Sequence, residues 1–376
     1  MSGFRAHLHS DFPLAQSLSM DSLPKTQTAI IALDDGNLKV VENVTLPTLE
    51  DDMVLVRNIF VGLNPVDTKM VGHLAVPGAI AGTDYAGYVV AIGNNAQCPG
   101  LKIGDRVAGA VQPCNPLLPS VGAFTQYVGA TGFVTMKMPD EMSFEEAATM
   151  GSGIGTMGLA LFRSLGVPGY PGEPALKPKH VLVYGGSSAT GTMAIQLLRL
   201  SGLIPIATCS EKNFALTTSY GAEKVFDYHL PSCAEDIKAF TKNSLKYVMD
   251  CISEPETMEF CYRCIGRAGG KYTALEPYPT WLDNKKTVKA DWVFGPMMLG
   301  KKIGWPVPFE READDEVRDF SIKWFETARK LLQDGKIKAH PLRSMSGSFQ
   351  GVIDGMDSLR KKEISGVKLV YRVASE

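Results

Sequence analysis

The residues of this chain best suited to chemistry gather around one short turn. His180 to Leu200 reads HVLVYGGSSATGTMAIQLLRL. Val181-Leu182-Val183-Tyr184 is an apolar run ending in glycine, the pattern of a strand buried on both faces. Beyond the turn, Met193, Ala194, Leu197, Leu198 and Leu200 recur at helical spacing, and Gly202 can close the helix. A strand, a tight glycine turn and a helix N-terminus make an anion site. Free backbone N–H groups and the positive end of the helix dipole there suit a pyrophosphate. Gly186, Ser188 and Gly191 occupy the three glycine positions of a GxGxxG pattern, so the middle one is serine. Its Cβ limits how closely the backbone approaches a phosphate. The hydroxyls of Ser187, Ser188 and Thr190 can bond phosphate oxygens directly instead.

A glycine turn alone is a weak signal, and the next stretch of the chain strengthens it. Ile204-Pro205-Ile206-Ala207-Thr208 reads as the second strand of a βαβ unit. An NAD-type site carries Asp or Glu at the end of that strand, to bond the ribose 2′-hydroxyl. Ser210 stands there instead, with Lys212 and Asn213 just beyond. A small hydroxyl plus a cation suits a 2′-phosphate, so NADPH is the expected dinucleotide. The competing reading makes Lys212 an ordinary solvated lysine at a helix start.

The elements that must position these groups fill a chain of 376 residues, long enough for a large core and two domains. With 45% hydrophobic and 21% charged residues, the composition is that of a soluble globular protein. A formal net charge of −2 gives no electrostatic case for nucleic acid or an anionic membrane as partner. The first twenty residues lack the apolar core of a signal peptide, and no run is long enough to span a bilayer. That segment is expected to be a disordered tail and the protein cytoplasmic. Seven scattered cysteines fit reduced thiols. Cys261 and Cys264 form a CxxC without a second pair, and their spacing favours a packed helix face over metal or redox work.

From Gln27 to Val128 short strands alternate with turn clusters, as in a compact β-barrel-like domain. Ser143 opens a helix with Glu145 and Glu146 in its first turn, and helix continues to Ser164. After a proline-rich connector, strand patterns at Lys224–Tyr228, Tyr247–Cys251 and Lys271–Leu275 alternate with helical stretches, giving the rhythm of a parallel sheet. A long amphipathic helix comes after Glu316 and ends at Gly335, and a last strand pattern covers Val367–Tyr371.

The order of elements resembles the medium-chain dehydrogenase/reductase superfamily in its zinc-free, quinone-reductase-like branch. The matching stretches are Asn64-Pro65-Val66-Asp67-Thr68-Lys69, Gly82-Thr83-Asp84-Tyr85-Ala86-Gly87, Gly104-Asp105-Arg106-Val107, Gly122-Ala123-Phe124, the YGGSSATG turn and Gly266-Arg267-Ala268-Gly269-Gly270. NPVDTK, IATCS, DWVFGP and ISGVKLV are similar to the trans-acting enoyl reductases that serve fungal highly reducing polyketide synthases. The resemblance implies an α/β fold, with a Rossmann-type doubly wound parallel sheet plus a GroES-like β-barrel catalytic domain. It divides the chain into a tail (1–23), the GroES-like catalytic domain (24–170), an NADPH-binding Rossmann domain (171–313) and a C-terminal return to the catalytic domain (314–376). Zinc-dependent members need thiolate and imidazole ligands. Thr83-Asp84 stands where they carry His-Glu, and the four-cysteine lobe is missing, so no metal is expected.

The resemblance implies hydride transfer from NADPH to the β carbon of an α,β-unsaturated polyketide thioester, presented on the acyl carrier domain of a partner synthase. Negative charge then builds on the carbonyl oxygen, and a donor there is worth about 2.7–4 kcal/mol. Lys69 is the first candidate for that donor and Thr156 the second. Asp67 is expected to hold Lys69, and Asn64 to order the turn. By the same resemblance Val66, Asp67, Thr68 and Lys69 touch the nicotinamide half, and Ser187, Ser188, Ala189 and Thr190 the pyrophosphate. Ser210, Glu211, Lys212, Asn213 and Tyr228 surround the adenosine phosphate end. Leu275 and Glu276 pass near the nicotinamide ribose, and Ile364 and Ser365 close over the cofactor. The acyl chain is expected between Gly155, Thr156, Met157, Gly158, Leu159, Ala160, Leu161 and Phe162 on one side and Gly295, Pro296, Met297, Met298 and Leu299 on the other. For the methionines, plain core packing is the competing reading.

Two other functions share the cofactor residues: a free-standing NADPH quinone or enone reductase, and a non-catalytic NADPH-binding accessory of a synthase. Many relatives dimerise by pairing the edges of their sheets. Here the segment Asp291 to Glu310 is read as lying beyond the last sheet strand, and it carries Pro296, Pro306, Pro308 and Lys301-Lys302. Proline and lysine guard sheet edges, so the segment is expected to fold over its own edge and leave a monomer.

Overall fold

The computed structural model describes residues 23–374, so the expected N-terminal tail lies, apart from Leu23, outside the described residues. β1 (Thr26–Ala32) and β2 (Leu38–Thr45) form an antiparallel pair. β3 (Met53–Gly62), β4 (Asp84–Ile92), β5 (Arg106–Ala110), β6 (Tyr127–Thr131) and β7 (Met136–Lys137) come next in the chain. β3 pairs antiparallel with both β4 and β6, and irregularities at Leu55/Val56 and Asn58/Phe60 break its ladder with β4. Such bulges bend a strand and raise its twist, which helps a sheet curl around its own core.

Ser143 caps α1 (Phe144–Ala147): its side chain accepts from the Glu146 N–H while Glu146 reaches back to the Ser143 N–H. α2 (Gly151–Gly158) runs on into a π-helical turn over Leu159–Ser164.

The second half is a six-stranded parallel sheet. Its strands are β8 (His180–Tyr184), β9 (Ile204–Cys209), β10 (Lys224–Asp227), β11 (Tyr247–Asp250), β12 (Gly270–Ala274) and β13 (Val288–Trp292), in the order β10-β9-β8-β11-β12-β13. The order reverses between β8 and β11, which opens a crevice at their carboxyl ends, where open α/β sheets bind ligands. The connecting helices are α3 (Ala189–Leu200), α4 (Phe214–Ser219), α5 (Cys233–Phe240) and α6 (Pro255–Cys264). Cys261 and Cys264 are fully buried on α6, packed as their spacing predicted.

β13 corrects the reading of the sheet edge. Asp291 and Trp292 belong to this sixth strand rather than to a segment beyond the sheet. The prolines come after it and do not guard it. Lys301 pairs with Asp52 at 2.7 Å and Lys302 with Glu312 at 2.7 Å. Trp305 is buried among Phe294, Leu74 and Phe349 of the other half. Phe309 and Arg311 pack on Trp292, the last residue of the strand, and on Phe294 beyond it.

The chain then returns. α7 (Asp315–Gln333) buries Trp324 and Phe325 against α2, where Gly158 leaves room for the indole: a Cβ there would lie 2.2 Å from its Nε1. That Nε1 donates to the Ile154 carbonyl at 2.9 Å. Removing such a side chain costs about 3–5 kcal/mol and here also strands a buried carbonyl. β14 (Leu342–Met345), α8 (Ser348–Arg360) and β15 (Lys368–Arg372) close the fold, β15 pairing antiparallel with β3. The largest core cluster lies between the two halves and joins α2, α3 and α7. Among the described residues no helix is long and apolar enough to cross a membrane.

Candidate active site

The glycine turn leaves β8 with Gly185 at φ +77° and enters α3 at Ala189. A Cβ on Gly191 would lie 2.3 Å from the Gly185 carbonyl oxygen, so helix and turn abut and only glycine fits. Ser188 is the N-cap: its oxygen accepts from the Gly191 N–H at 3.0 Å and its hydroxyl donates to the Gly185 carbonyl at 2.7 Å. This corrects the expected phosphate role of its hydroxyl, whose proton is spent inside the turn. Ser187, Ala189 and Thr190 remain partly exposed at the helix start. Cys251, which sequence reasoning missed, sits beside Thr190 and Ser188, and burial pushes its thiol up to about 12.

Three separately predicted stretches meet at Asn213. Its Nδ2 lies 3.3 Å from Ser187 Oγ, 3.3 Å from Ser210 Oγ and 3.1 Å from Ser365 Oγ. Gly366 comes next at φ +69°, and a Cβ on it would lie 2.9 Å from Asn213 Oδ1. Glu211 and Lys212 are exposed, and Lys212 forms no ion pair among the described residues. Tyr228 is 40% exposed and stacks at 5.9 Å on Tyr184 and 4.1 Å on His229. The loop after α8 is tied to both halves, by Arg360 Nε to the Thr68 carbonyl at 3.3 Å and by Lys362 to Glu254 at 2.7 Å. Ile364 is half-buried in the same loop.

The Asn64–Lys69 turn holds two opposed groups. Lys69 points outward and pairs with Glu276, which lies just past β12 near the sheet's carboxyl ends. The turn carrying Lys69 is thereby linked across the crevice to the residue expected near the cofactor ribose. Val66 is half-buried, and the Thr68 hydroxyl donates to the Pro65 carbonyl at 2.7 Å. Asp67 is fully buried and points the other way, accepting from the Asn64 N–H at 2.7 Å and the Thr83 hydroxyl at 3.0 Å. It does not hold Lys69, and its carboxyl faces away from the crevice. The expectation fails because residues two apart on a 3₁₀ turn project to different sides. Burial, reinforced by the charge of Asp84, raises Asp67 to about 7 against the opposing pull of the Asn64 N–H, the Thr83 hydroxyl and Lys368.

Asn64 orders the turn through a buried network. Its Nδ2 donates to Thr83 Oγ1 at 2.8 Å and to Asp84 Oδ2 at 2.9 Å. Lys368 from β15 donates to Asp84, to Asn64 Oδ1 at 2.9 Å and to the Thr149 carbonyl at 3.2 Å. The Ser152 N–H completes Asp84 at 2.6 Å. Lys368 was missed because an isolated lysine in a strand pattern gives no hint of burial. This centre does not fit zinc. It has two carboxylates, an amide and a hydroxyl but no thiolate or imidazole, and the fixed ammonium of Lys368 beside Asp84 opposes a second cation. Among the described residues no group of three or more His, Cys, Asp or Glu is arranged to hold a metal.

The expected acyl channel is largely closed. Met157, Leu159, Ala160 and Leu161 are 0–1% exposed, and Met298 and Leu299 belong with them to the central core. A Cβ on Gly155 would lie 2.1 Å from the Met298 sulfur, and Gly158 faces Trp324. These glycines admit neighbouring side chains instead of a ligand, and the buried methionines are core packing. Pro296 is also buried, whereas Gly295, Met297 and Phe162 stay partly accessible. Thr156 is 8% exposed and lies against Gly295, where a Cβ would come within 3.2 Å of its hydroxyl.

The turn, the crevice and the Ser187–Ser210–Ser365 cluster fit a nicotinamide dinucleotide. Ser187, Ala189 and Thr190 stay partly exposed at the start of α3, and the hydroxyls of Ser187, Ser210 and Ser365 converge beside it, where phosphates would lie.

Comparisons with known proteins agree with this geometry. Residues 50–140 match the alcohol dehydrogenase GroES-like domain, and residues 189–274 match the family described as zinc-binding dehydrogenase. A trans-enoyl reductase of Gibberella zeae is 60% identical over 355 residues, covering 94% of this chain and 99% of the relative. A trans-enoyl reductase of Aspergillus clavatus is 47% identical, covering 93% of this chain and 97% of the relative. Among solved structures, the CurK enoyl reductase superposes with TM-score 0.72 at 16% identity, over 92% of this chain and 99% of that one. A Pseudomonas syringae quinone oxidoreductase gives 0.69 at 19% identity, over 92% and 99%.

Proposed function

This chain belongs to the trans-enoyl reductases of the medium-chain dehydrogenase/reductase superfamily, and on that premise we propose a specific reaction for it. It uses NADPH to reduce the double bond of an α,β-unsaturated polyketide thioester carried on the acyl carrier domain of a partner synthase. The observation that carries this reading is the Lys69–Glu276 pair at the mouth of the crevice. It puts a half-exposed cation of the Asn64–Lys69 turn beside the carboxyl ends of the parallel sheet.

When bound, the dinucleotide supplies a hydride. The hydride would go to the β carbon and a proton, which solvent can supply, to the α carbon, so the task of the chain's own residues is to hold the carbonyl oxygen of the thioester as it becomes negative. Lys69 is the group we assign to the oxygen, with Thr156 beside Gly295 as the second donor. Lys69 and Glu276 are 41% and 28% exposed, so their pairing is worth only about 0–1 kcal/mol. Exchanging Glu276 for a thioester oxygen therefore costs little. The preference for NADPH rests on Ser210 closing β9 and on Lys212 standing without an ion pair among the described residues.

The monomer proposal now rests on the edge strand itself. β13 is five residues long and carries exposed Lys289 and Asp291, and short, charged edges resist pairing.

The test measures turnover of crotonyl-pantetheine and of a free quinone with NADPH and with NADH. Faster reduction of the thioester, with NADPH preferred, is expected. Faster reduction of the quinone would favour the free-standing reductase, and no oxidation of NADPH with either would favour the accessory.

A further inference from the structure

The catalytic half contains a second concavity of about 180 Å³, apart from the crevice. Gln112, Asn115, Leu118 and Val121, between β5 and β6, line one side, and Met53 and Leu299 the other. Two of its lining residues are neighbours of groups in the site. Leu299 ends the short helical turn that begins at Gly295, beside Thr156. Val111, next to Gln112, donates its N–H to the Thr83 carbonyl at 2.9 Å, and Thr83 belongs to the network under the Lys69 turn.

Gln112 is the unusual member of this lining. It is 3% exposed, and its Nε2 has no hydrogen-bond acceptor. The orientation of its amide is set by its neighbour. Asn115 Oδ1 accepts from the Leu117 N–H at 3.0 Å, which leaves Asn115 Nδ2 to donate to Gln112 Oε1 at 3.3 Å. Turning the Gln112 amide over would set two NH₂ groups against each other. A buried donor without a partner costs free energy that a ligand acceptor recovers. The two lysines in the lining are already neutralised, Lys301 by Asp52 and Lys302 by Glu312. The pocket therefore offers apolar walls and neutral polar groups, Gln112 with Asn115 and Thr131, which disfavours an anion and suits an uncharged oxygen.

We propose that this pocket receives the distal end of the acyl chain, with Gln112 Nε2 donating to a ketone or hydroxyl oxygen that the chain carries there. The inference rests on the enoyl-reductase reading and adds to it where the chain beyond the reacting carbons is read. The volume is consistent with this role. It slightly exceeds the roughly 150 Å³ of an apolar cavity that takes benzene, and falls short of the roughly 300 Å³ at which whole-ligand pockets begin. It is a subsite for a short apolar stretch with one oxygen.

The test compares three pantetheine thioesters: crotonyl, decenoyl and a decenoyl bearing a distal ketone. Gln112→Leu removes the donor at similar volume, and Leu118→Trp fills the pocket from a half-buried position. Gln112→Leu should erase a preference for the ketone-bearing chain of about tenfold in kcat/KM. Leu118→Trp should lower kcat/KM for both decenoyl chains by about tenfold and leave crotonyl unchanged. Equal effects on short and long chains, or none, would overturn the pocket while leaving the reductase reading intact. If the wild-type protein reduced none of the three, the reductase reading would fail and calorimetry with the saturated, ketone-bearing decanoyl-pantetheine would still decide. Weaker binding in Leu118→Trp than in wild type would uphold the pocket, and equal or absent binding would remove it.

Discussion

Replacing Lys69 with alanine tests the catalytic assignment most directly. The ammonium is half-exposed and its structural partner is Glu276, itself partly exposed, so the folded chain loses at most about 1 kcal/mol. The turn beneath it does not depend on Lys69, because Asp67, Thr83, Asn64 and Lys368 hold one another independently. The chemical loss should be far larger. A donor aimed at a developing oxyanion contributes about 2.7–4 kcal/mol, or roughly 10²–10³ in kcat. The expected outcome is a fall of that size in single-turnover reduction of crotonyl-pantetheine, an unchanged unfolding midpoint, and NADPH affinity within several-fold by fluorescence titration. Glu276→Gln serves as the control, since it frees Lys69 without removing it and should keep turnover within about tenfold. Full activity in Lys69→Ala, together with its abolition by Thr156→Val alone, would refute the assignment and transfer the role to Thr156.

Lys212→Ala should weaken NADPH by about tenfold and leave NADH unchanged, because only NADPH carries the phosphate that an exposed cation at this position would meet; equal losses in titrations with both would remove the assignment. Asp67 is expected to make stability pH-dependent. Its carboxyl titrates near 7 in the folded chain against an ordinary value of 3.8. The folded chain thus holds a proton there between about pH 4 and 7 that the unfolded chain has released. The resulting stability is fully present below about pH 4 and is lost as pH rises to about 7, on the order of 4 kcal/mol in total. Asp67→Asn should flatten that part of the profile, and urea midpoints at pH 5 and 8 that differ as much in the variant as in the wild type would contradict it. Light scattering should return the single-chain mass of 40.7 kDa, and twice that value would overturn the monomer, whether β13 pairs or the dimer forms elsewhere.

Much of the fold was legible because local chemistry and tertiary role agree. The apolar run of β8, the cap at Ser143 and the stripe of α7 each carry their own periodicity or capping pattern. β13 escaped because an edge strand buries little: Lys289 and Asp291 face solvent, and KADW lacks the continuous apolar run of its neighbours. The glycine-rich helix misled for a different reason. A glycine marks a close approach without saying what approaches, and at Gly155 and Gly158 the visitors are Met298 and Trp324 rather than substrate. The residues gathered by Asn213 were named singly, but their meeting joins positions 187, 210 and 365, a distance in sequence that no local pattern spans.

Lys368 explains why the C-terminal strand must come back to the catalytic half. Asp84 is fully buried and lies beside the buried carboxyl of Asp67, and the ammonium of Lys368 is the cation that meets it there. The cation comes from β15, whose neighbouring residues Val370, Tyr371 and Arg372 pair with β3. Asn64, at the head of the Lys69 turn, accepts from the same ammonium at 2.9 Å. Breaking one partner of a buried pair costs about 3–5 kcal/mol, because the remaining charge stays out of water. The Lys69 turn therefore depends on β15 for the cation that Asn64 and Asp84 share. Ser365, three residues before Lys368, meets Asn213. One short stretch of chain thus braces both the Lys69 turn and the Ser187–Ser210 cluster around Asn213. Its two contacts lie on opposite halves of the molecule, so this stretch also ties the two halves to each other.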